Sequence, residues 1–242
     1  MTFPFSQYYN KLGDEFSPVL TLGRNPSLQT GKARLIWSQP EEYDFLSAEV
    51  NATIVSDSTD DSISGIGART VSITYLSEDY FQHTEVVSMN GTTPVNLPFS
   101  IFRVNDVTVV TAGSRLTNDG EITVSDGGAV ICAVIDPNMG TTFQSVYTIP
   151  ADFKEGILTS AYLDVRTMGN PNAEVECFLY TRTAGGAVIA QFPAAMTRDA
   201  PQWDIVGITG SSIPSRTDIF WTGESFVQSA NVVSGFGLLL VK

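Results

Sequence analysis

The residues of this chain that could carry out acid–base, nucleophilic or zinc chemistry are few and lie in separate segments. The single histidine, His83, lies in a strand-like run, and no G-x-S-x-G segment supplies a serine for it to activate. A zinc site needs clustered nitrogen and sulfur ligands, whereas Cys132 and Cys177 stand in two different apolar runs. We therefore predict that the chain is not an enzyme and has no catalytic residue, cofactor or metal site.

Two acidic clusters are the remaining candidates for ion binding. Asp57, Asp60 and Asp61 occur in SDSTDD, and the second cluster is EEYD at residues 41–44. Carboxylate oxygens bind calcium, but SDSTDD lacks the glycine and terminal glutamate of an EF-hand loop. A facing pair of carboxylates in an aromatic cleft is the arrangement of a glycosidase, and a sequence does not reveal such a pair. We expect solvated loops at both clusters.

The glycine-rich segment GIGART, residues 65–70, is superficially similar to a phosphate-binding loop. It lacks a third glycine and opens a strand, whereas such a loop leads into a helix N-terminus. We therefore predict no nucleotide site.

The charge of the chain limits its partners. Its 242 residues include 26 acidic and 13 basic side chains, for a net charge of -13. Such a chain repels phosphate backbones, so we expect binding neither to nucleic acid nor to an anionic membrane. No apolar run approaches the roughly 18 residues that a membrane helix needs.

The two cysteines leave a disulfide or two buried free thiols as alternatives. Residues 1–6 lack the basic start and the apolar run of a signal peptide. We therefore expect the chain to fold in a reducing cytoplasm, which favours free thiols.

The elements that must position any site are strands, because hydrophobicity alternates with a period of two. In ARTVSITYL, Val71, Ile73 and Tyr75 share one face, and SAYLDVRT and AEVECFLYT alternate in the same way. AVICAVI is apolar on both faces, which predicts a central strand. Turn residues recur about every ten positions, so we predict an all-β fold with two β-sandwich or jelly-roll-like units.

Three parts are predicted along the chain. Residues 1–45 lack sustained alternation and form either an extended N-terminal arm or an ordinary strand and loop of the same domain. Residues 46–140 form a β-sandwich, and residues 141–242 form a second, jelly-roll-like one, with the boundary in the turn-rich DPNMGTTFQS at residues 136–145. A single continuous sandwich is the alternative.

Large apolar side chains in polar or proline-containing stretches are candidate contact residues, because aromatic anchors are typical of interfaces. The predicted contact residues are Leu35, Ile36, Trp37, Tyr43, Phe45, Tyr80, Phe81 and Trp203.

Several stretches, in this order and spacing, resemble virion structural proteins of tailed phages, especially marine ones. They are TLGRNPSLQTG, SDSTDDSISGIGARTVSITYLSEDYFQHTEVVSMNGTTPV, FRVNDVTVVTAGSRLTNDGEITV, FQSVYTIPADFKEGILTSAYLDV, AEVECFLYTR, TDIFWTGES and SGFGLLLVK. The resemblance covers nearly the whole chain from about residue 20, with one departure at DFKEG. It implies a virion component, assembled in the host cytoplasm, with no catalytic residues to carry over.

The resemblance leaves the position on the particle open. A head decoration (cement) protein would bind the major capsid protein or other virion proteins, and we expect it to be a homotrimer. A tail or fibre-base protein would contact the tail or the host surface. A carbohydrate-binding module is the alternative from a different functional class.

Overall fold

The computed structural model describes residues 15–39, 42–128, 130–166, 174–197, 203–206 and 211–242. These residues contain no α-helix and form seventeen strands. The strands are β1 (Phe16–Leu28), β2 (Arg34–Leu35), β3 (Val50–Ser56), β4 (Ala68–Leu76), β5 (Gln82–Ser88), β6 (Val95–Ile101), β7 (Arg103–Ala112), β8 (Ile122–Ser125), β9 (Ile131–Ile135), β10 (Val146–Thr148), β11 (Glu155–Arg166), β12 (Glu174–Thr183), β13 (Val188–Thr197), β14 (Trp203–Val206), β15 (Ser212–Pro214), β16 (Thr217–Ser225) and β17 (Ala230–Val241). The predicted all-β class is confirmed.

The strands form four small antiparallel sheets. The first sheet has the order β1–β17–β11–β14, with β15 also paired to β11. The second has the order β10–β16–β12–β13, with β2 also paired to β16. The third is β6–β3–β8–β9, and the fourth is β5–β4–β7.

Each of the two large hydrophobic clusters draws its side chains from two sheets. One cluster joins β11 and β17 of the first sheet to β12 and β16 of the second, and we call these sheets the first sheet pair. The other joins β3, β8 and β9 of the third sheet to β4 and β7 of the fourth, and these form the second sheet pair. Shared cores of this kind do not establish a jelly-roll strand order. The predicted jelly-roll units, and the boundaries at 45/46 and 140/141, stay predictions.

The period-two pattern predicted strand faces correctly. Val71, Ile73 and Tyr75 of β4 are buried, and the intervening positions are partly exposed. The same holds for the inward positions of β11 and β12, which are Ala161, Leu163, Val165, Val175, Cys177 and Leu179. Burial of alternate positions against a facing sheet is the physical basis of this agreement.

Strand β9 is buried on both faces, as AVICAVI predicts, but it is not a central strand. It lies at the edge of the third sheet, where its sheet partner is β8. Cys132, Ala133 and Ile135 face the core of the second sheet pair, while Val134 packs in a separate cluster with Trp37. The second face of this strand is therefore covered by the segment after β2 together with Val146 and Phe220 of the second sheet.

The described part of the predicted N-terminal arm belongs to the body of the fold. Strand β1 pairs with the C-terminal strand β17, from Phe16 opposite Val241 to Asn25 opposite Val232. Strand β2 pairs with β16, and the segment that follows it is buried. Of the two alternatives, these residues adopt the ordinary strand and loop of the same domain. The prediction of an extended arm is wrong for the described residues of this segment.

A third hydrophobic cluster joins the two sheet pairs. Trp37 and Tyr43 meet edge to face, with ring centroids 5.1 Å apart. They pack with Val134 of the third sheet and Phe220 of the second sheet. The segment after β2 therefore fills the junction between the sheet pairs with aromatic side chains.

Candidate functional site: a rigid apolar platform

Four loops meet at one end of the second sheet pair. They follow β3, β5, β7 and β9 and span residues 57–67, 89–94, 113–121 and 136–141. The strand registers place all of them at the same end, since Ser56 lies opposite Ile122 and Ala68 opposite Ala112. A set of loops on a rigid sheet scaffold is a common position for binding residues.

Asp61 links two of these loops from a fully buried position. Its carboxylate accepts hydrogen bonds from the hydroxyl of Ser56 at 2.6 Å and the backbone N–H of Ala68 at 2.7 Å. It also accepts from the backbone N–H groups of Asp119 at 2.8 Å and Gly120 at 2.9 Å. Four donors satisfy both oxygens, so Asp61 is a structural anchor. The expectation of a solvated loop is wrong at this residue, because it is 0% exposed.

Asn118 connects the third loop to the fourth. Its side-chain amide donates to the carbonyls of Gly120 at 2.6 Å and Asp136 at 2.9 Å. Its side-chain oxygen accepts from the backbone N–H of Gly140 at 2.9 Å. Asn118 is also fully buried, so the loops are fixed to one another by side-chain-to-backbone hydrogen bonds.

The glycines of GIGART are required by close packing within these loops. A Cβ at Gly65 would lie 2.0 Å from the backbone oxygen of Asp60, and one at Gly67 would lie 2.2 Å from Oδ1 of Asp61. The glycine pattern therefore lets two chain segments approach each other, which is one of the ordinary uses of glycine.

The fixed loops present apolar side chains to solvent. Ile63 and Ile66 project from the first loop, Leu116 from the third and Met139 from the fourth, and all four are exposed. The backbone N–H of Arg115 donates to the carbonyl of Ile66 at 2.9 Å, which joins the first loop to the third next to Leu116. We call Ile63, Ile66, Leu116 and Met139 the platform. A group of exposed apolar side chains on one surface commonly marks an interaction site.

Leu116 is the most exposed of them and has an uncommon backbone conformation. Its side chain is 86% exposed, and its φ is 64°. A leucine in the left-handed region costs about 1–2 kcal/mol relative to the right-handed one. Such strain is tolerated where the surrounding structure enforces it, and it clusters at functional positions.

Charged groups form the rim of the platform. Arg115 Nε lies 2.5 Å from Oδ1 of Asp119, whose other oxygen accepts from the hydroxyl of Ser58 at 2.6 Å. Arg69 donates from Nε to the carbonyl of Gly65 at 3.1 Å. The rim is thus polar and paired, as around the apolar centre of many protein interfaces.

The predicted contact residues of the 35–45 segment are not surface anchors. Leu35, Ile36, Trp37 and Tyr43 are all buried in the chain's own core. Phe45 is half-buried, with the guanidinium of Arg182 3.9 Å from its ring centroid. Ile36 packs in the core of the first sheet pair, and the other four pack at the junction of the two sheet pairs, so none of these residues is a free surface anchor.

The other predicted contact residues have different outcomes. Tyr80 is buried against Phe102, at a centroid distance of 5.3 Å, and its φ is 68°. Phe81 is exposed, as predicted. Trp203 lies in β14 opposite Leu163, and its side chain lies outside the described residues. Sequence reasoning missed the platform, although the isolated apolar residues in SISGIG and GSRLTNDG were its visible signal.

His83 and the cysteines lie in ordinary structural environments. His83 stacks on Tyr75 at a centroid distance of 5.4 Å and lies 3.4 Å from the hydroxyl of Ser77. Both cysteines are free and buried, so the expectation of free thiols is confirmed. Burial raises the pKa of the Cys132 thiol to about 12 and raises the pKa of the Cys177 thiol as well. Thiols with raised pKa values are poor nucleophiles at neutral pH.

The acidic segment EEYD is split between surface and core. Glu42 pairs with Lys32 on the surface, and the hydrogen bond from Lys32 lowers the pKa of the Glu42 carboxyl. Tyr43 is buried, and desolvation raises its pKa. Within the described ranges, no group of three or more histidine, cysteine, aspartate or glutamate side chains is arranged to hold a metal ion. The part of the chain that the structure describes has no helix long and apolar enough to cross a membrane.

Comparison with known proteins gives distant similarity only. No family model and no curated protein matches the chain. The structure of infectious bursal disease virus Gt strain is 14% identical with a TM-score of 0.23, covering 94% of this chain and 72% of that one. The infectious bursal disease virus VP2 subviral particle is 13% identical with a TM-score of 0.15, covering 95% of this chain and 81% of that one. TM-scores this low do not demonstrate a shared fold.

Proposed function

We propose that this chain is a structural protein of a virus particle, and that it decorates the head of a tailed phage. Its proposed partner is the major capsid protein, and its proposed role is to bind the assembled shell and stabilise it. The role needs no catalytic group and no cofactor. We further propose that the two sheet pairs act as two sandwich-like units within one rigid protein.

The observation that carries the proposal is the platform on its cross-linked loops. Asp61 and Asn118 hold the loops in place before any partner arrives, so little conformational entropy is lost on binding. Leu116 is held outward in a strained conformation, although a leucine gains nothing from exposure. Preorganised apolar side chains with a polar rim are suited to a permanent contact between proteins.

The sequence resemblance to virion structural proteins supports the kind of particle. Its stretches include SISGIGARTV and GSRLTNDG, which form much of the platform and its supporting loops. The net charge of -13 adds an acidic exterior, which keeps a protein soluble at high copy number.

We also propose that the decoration protein is a homotrimer. Capsid shells offer three-fold and quasi-three-fold positions, and a closed ring protects sheet edges such as β5 and β6. Sedimentation of the purified chain tests this, with a trimer expected and a strict monomer, both free and on particles, contradicting it.

The test of function begins with the particle. Quantitative mass spectrometry of purified virions is expected to find the chain in hundreds of copies, a rough figure for a molecule that follows shell symmetry. Cryo-electron microscopy is expected to place it on the head. A few copies at the tail would transfer the proposal to a tail or fibre-base protein, and absence from the particle would refute a structural role.

The platform is tested by rebinding to particles stripped of the protein. Leu116→Asn removes the apolar contact while placing a residue that tolerates positive φ, so the variant is expected to be at least as stable as the native chain. Its affinity for stripped particles is expected to fall about tenfold or more, as for interface hot spots. Val188→Asn, at an exposed position of β13, is the matched control. Equal loss in both variants, or no loss in Leu116→Asn, contradicts the assignment of the platform.

A further inference from the structure

A groove of about 390 Å³ separates strand β1 from the second sheet pair. One wall is the run 18–22 of β1, and the opposite wall includes Thr74, Asn105 and Asp106. The segment 141–144 and Tyr147 complete the lining. The volume falls within the range of about 300–1,000 Å³ that is typical of ligand sites. The groove lies apart from the platform residues, none of which lines it.

The wall formed by β1 is an unpaired strand edge. Within the described residues, β1 lies at the end of the first sheet and its strand partner is β17. The N–H of Arg24 donates to the carbonyl of Phe143 at 3.3 Å, so the backbone of Arg24 faces away from β17. In an antiparallel strand the backbone groups of successive residues point alternately to the two sides of the strand. The backbone groups of Leu22, Leu20 and Pro18 therefore point away from β17, as those of Arg24 do. Pro18 fits there because it has no N–H to pair.

The outward positions present both backbone groups and apolar side chains along the groove. Leu20 is 72% exposed and Leu22 is exposed as well. A long apolar edge of this kind is the template for addition of another strand. Strand addition supplies partners for the backbone groups of Leu20 and Leu22 and covers their side chains.

One lining residue, Gln144, is almost completely buried. Gln144 is only 4% exposed and donates from its side-chain amide to the carbonyl of Val104 at 2.9 Å. Its Oε1 is buried and has no hydrogen-bond partner among the described residues. A buried acceptor without a partner costs free energy, so Gln144 is held in place by packing and by its bond to Val104.

Most other polar side chains in the lining are already bonded within the chain. The amide of Asn105 exchanges hydrogen bonds with the backbone of Thr148. Asp106 accepts from the hydroxyls of three threonines, and Thr74 bonds to Thr84. A saccharide needs many free donors and acceptors, so this lining is better suited to an extended polypeptide. Asp106 is the one charged side chain among the lining residues, which favours a basic partner.

We infer that the groove binds an extended, basic segment of another polypeptide, which adds as a strand to the free edge of β1. The segment alternates apolar side chains, which pack on Leu20 and Leu22, with polar ones, and places a lysine or arginine near Asp106. This inference goes beyond the proposed head decoration and does not depend on the platform.

The test uses the purified full chain and synthetic ten-residue peptides. The peptides alternate valine with threonine, with one central position varied between lysine, serine and glutamate. Fluorescence anisotropy is expected to rank the lysine peptide tightest. N-methylation of the alternate backbone amides that face β1 is expected to weaken binding about tenfold or more, because it removes the strand hydrogen bonds.

Two variants connect the binding to the groove. Leu20→Ser is expected to weaken the lysine peptide about tenfold, and Val188→Ser, on the edge strand β13, is expected to leave it unchanged. Asp106→Asn is expected to abolish the preference for lysine over glutamate. Binding that none of these changes alters, or no binding by any peptide, overturns the inference. A dimer of the chain alone that Leu20→Ser dissociates also overturns it, because the occupant is then a second copy.

Discussion

Nε of Arg103 donates to Oδ1 of Asp218 at 3.0 Å, in a buried ion pair that joins the two sheet pairs. Arg103 opens β7 of the fourth sheet, and Asp218 lies in β16 of the second. Asp218 also accepts from the hydroxyl of Thr148 at 2.7 Å and from Arg182 at 2.6 Å. The guanidinium of Arg103 stacks over Phe102, 4.0 Å from its ring centroid. The junction is therefore a satisfied polar network beside an aromatic cluster.

Asp218→Asn is expected to destabilise the chain strongly. The substitution leaves the buried Arg103 without its counter-charge, and breaking one side of a buried pair costs about 3–5 kcal/mol. Urea denaturation at neutral pH measures the loss in the free energy of unfolding. Glu42→Gln breaks the exposed pair with Lys32 and is expected to change little. Similar losses in the two variants contradict the structural role of the junction.

Asp61→Asn is expected to lower the free energy of unfolding by about 3 kcal/mol, because an amide nitrogen would face backbone donors that now bond to a carboxylate. Asp60→Asn in the same segment is the matched control. Since four protein donors already occupy the oxygens of Asp61, adding calcium or EDTA is expected to leave the melting temperature unchanged. A calcium-dependent rise that Asp61→Asn abolishes is the result that contradicts this account.

The strands were predictable from the sequence, because half-buried strands alternate and the alternation is local. Val71 and Ile73 are identified as inward positions without knowing what covers them. Strand order is a different kind of information. β1 pairs with β17, which lies near the other end of the sequence, and no local pattern indicates that pairing.

The candidate sites were less predictable, because exposure depends on tertiary contacts. Trp37 and Tyr43 stand in a stretch without alternation, which is equally compatible with a surface arm and with a packed junction. Asp61 is an acid in a polar loop, yet it is fully buried because four donors converge on it. Leu116 is identified as a contact candidate only by its exposure and backbone angle together.

Deleting residues 1–45 is expected to leave a chain that unfolds or aggregates. The deletion removes β1 and exposes the edge of β17, and it also removes Trp37 and Tyr43 from the junction. Trp37→Ala alone is expected to cost about 3–5 kcal/mol. Circular dichroism and size-exclusion chromatography measure the outcome, with Phe81→Ala as the exposed aromatic control. A folded, monodisperse truncation revives the extended-arm hypothesis.

Cys132 and Cys177 are expected to resist thiol reagents in the native protein. Both are buried, and desolvation holds the pKa of Cys132 at about 12, so almost no thiolate is present at pH 8. A colorimetric thiol assay is expected to detect two thiols in denaturant and none in buffer. Val188→Cys is the positive control, because that position is exposed. Rapid labelling of Cys132 or Cys177 in the folded protein without the substitution contradicts their buried placement.

The stability of the chain is expected to depend on pH through Asp136, at the base of the fourth loop. Desolvation raises the pKa of this carboxyl above 3.8, while a hydrogen bond from Ser38 and the charge of Arg24 act in the opposite direction. Between the unfolded and folded pKa values, the folded state holds more protons than the unfolded state. The contribution of Asp136 to stability therefore decreases as pH rises through that window and stays lower above it.

Asp136→Asn removes this titration and tests the sign. The variant is expected to gain stability relative to the native chain as pH rises. The free energy of unfolding of the variant minus that of the native chain is therefore larger at pH 7 than at pH 3, where the native carboxyl is protonated in both the folded and the unfolded state. Ser38→Ala removes the opposing hydrogen bond, so it is expected to raise the pKa of Asp136 further and to steepen the loss of stability with pH. Urea denaturation at a series of pH values measures both effects. The opposite result is a variant whose free energy of unfolding, minus that of the native chain, is larger at pH 3 than at pH 7. That result means that the fold stabilises the ionised form of Asp136, and it contradicts the desolvated placement.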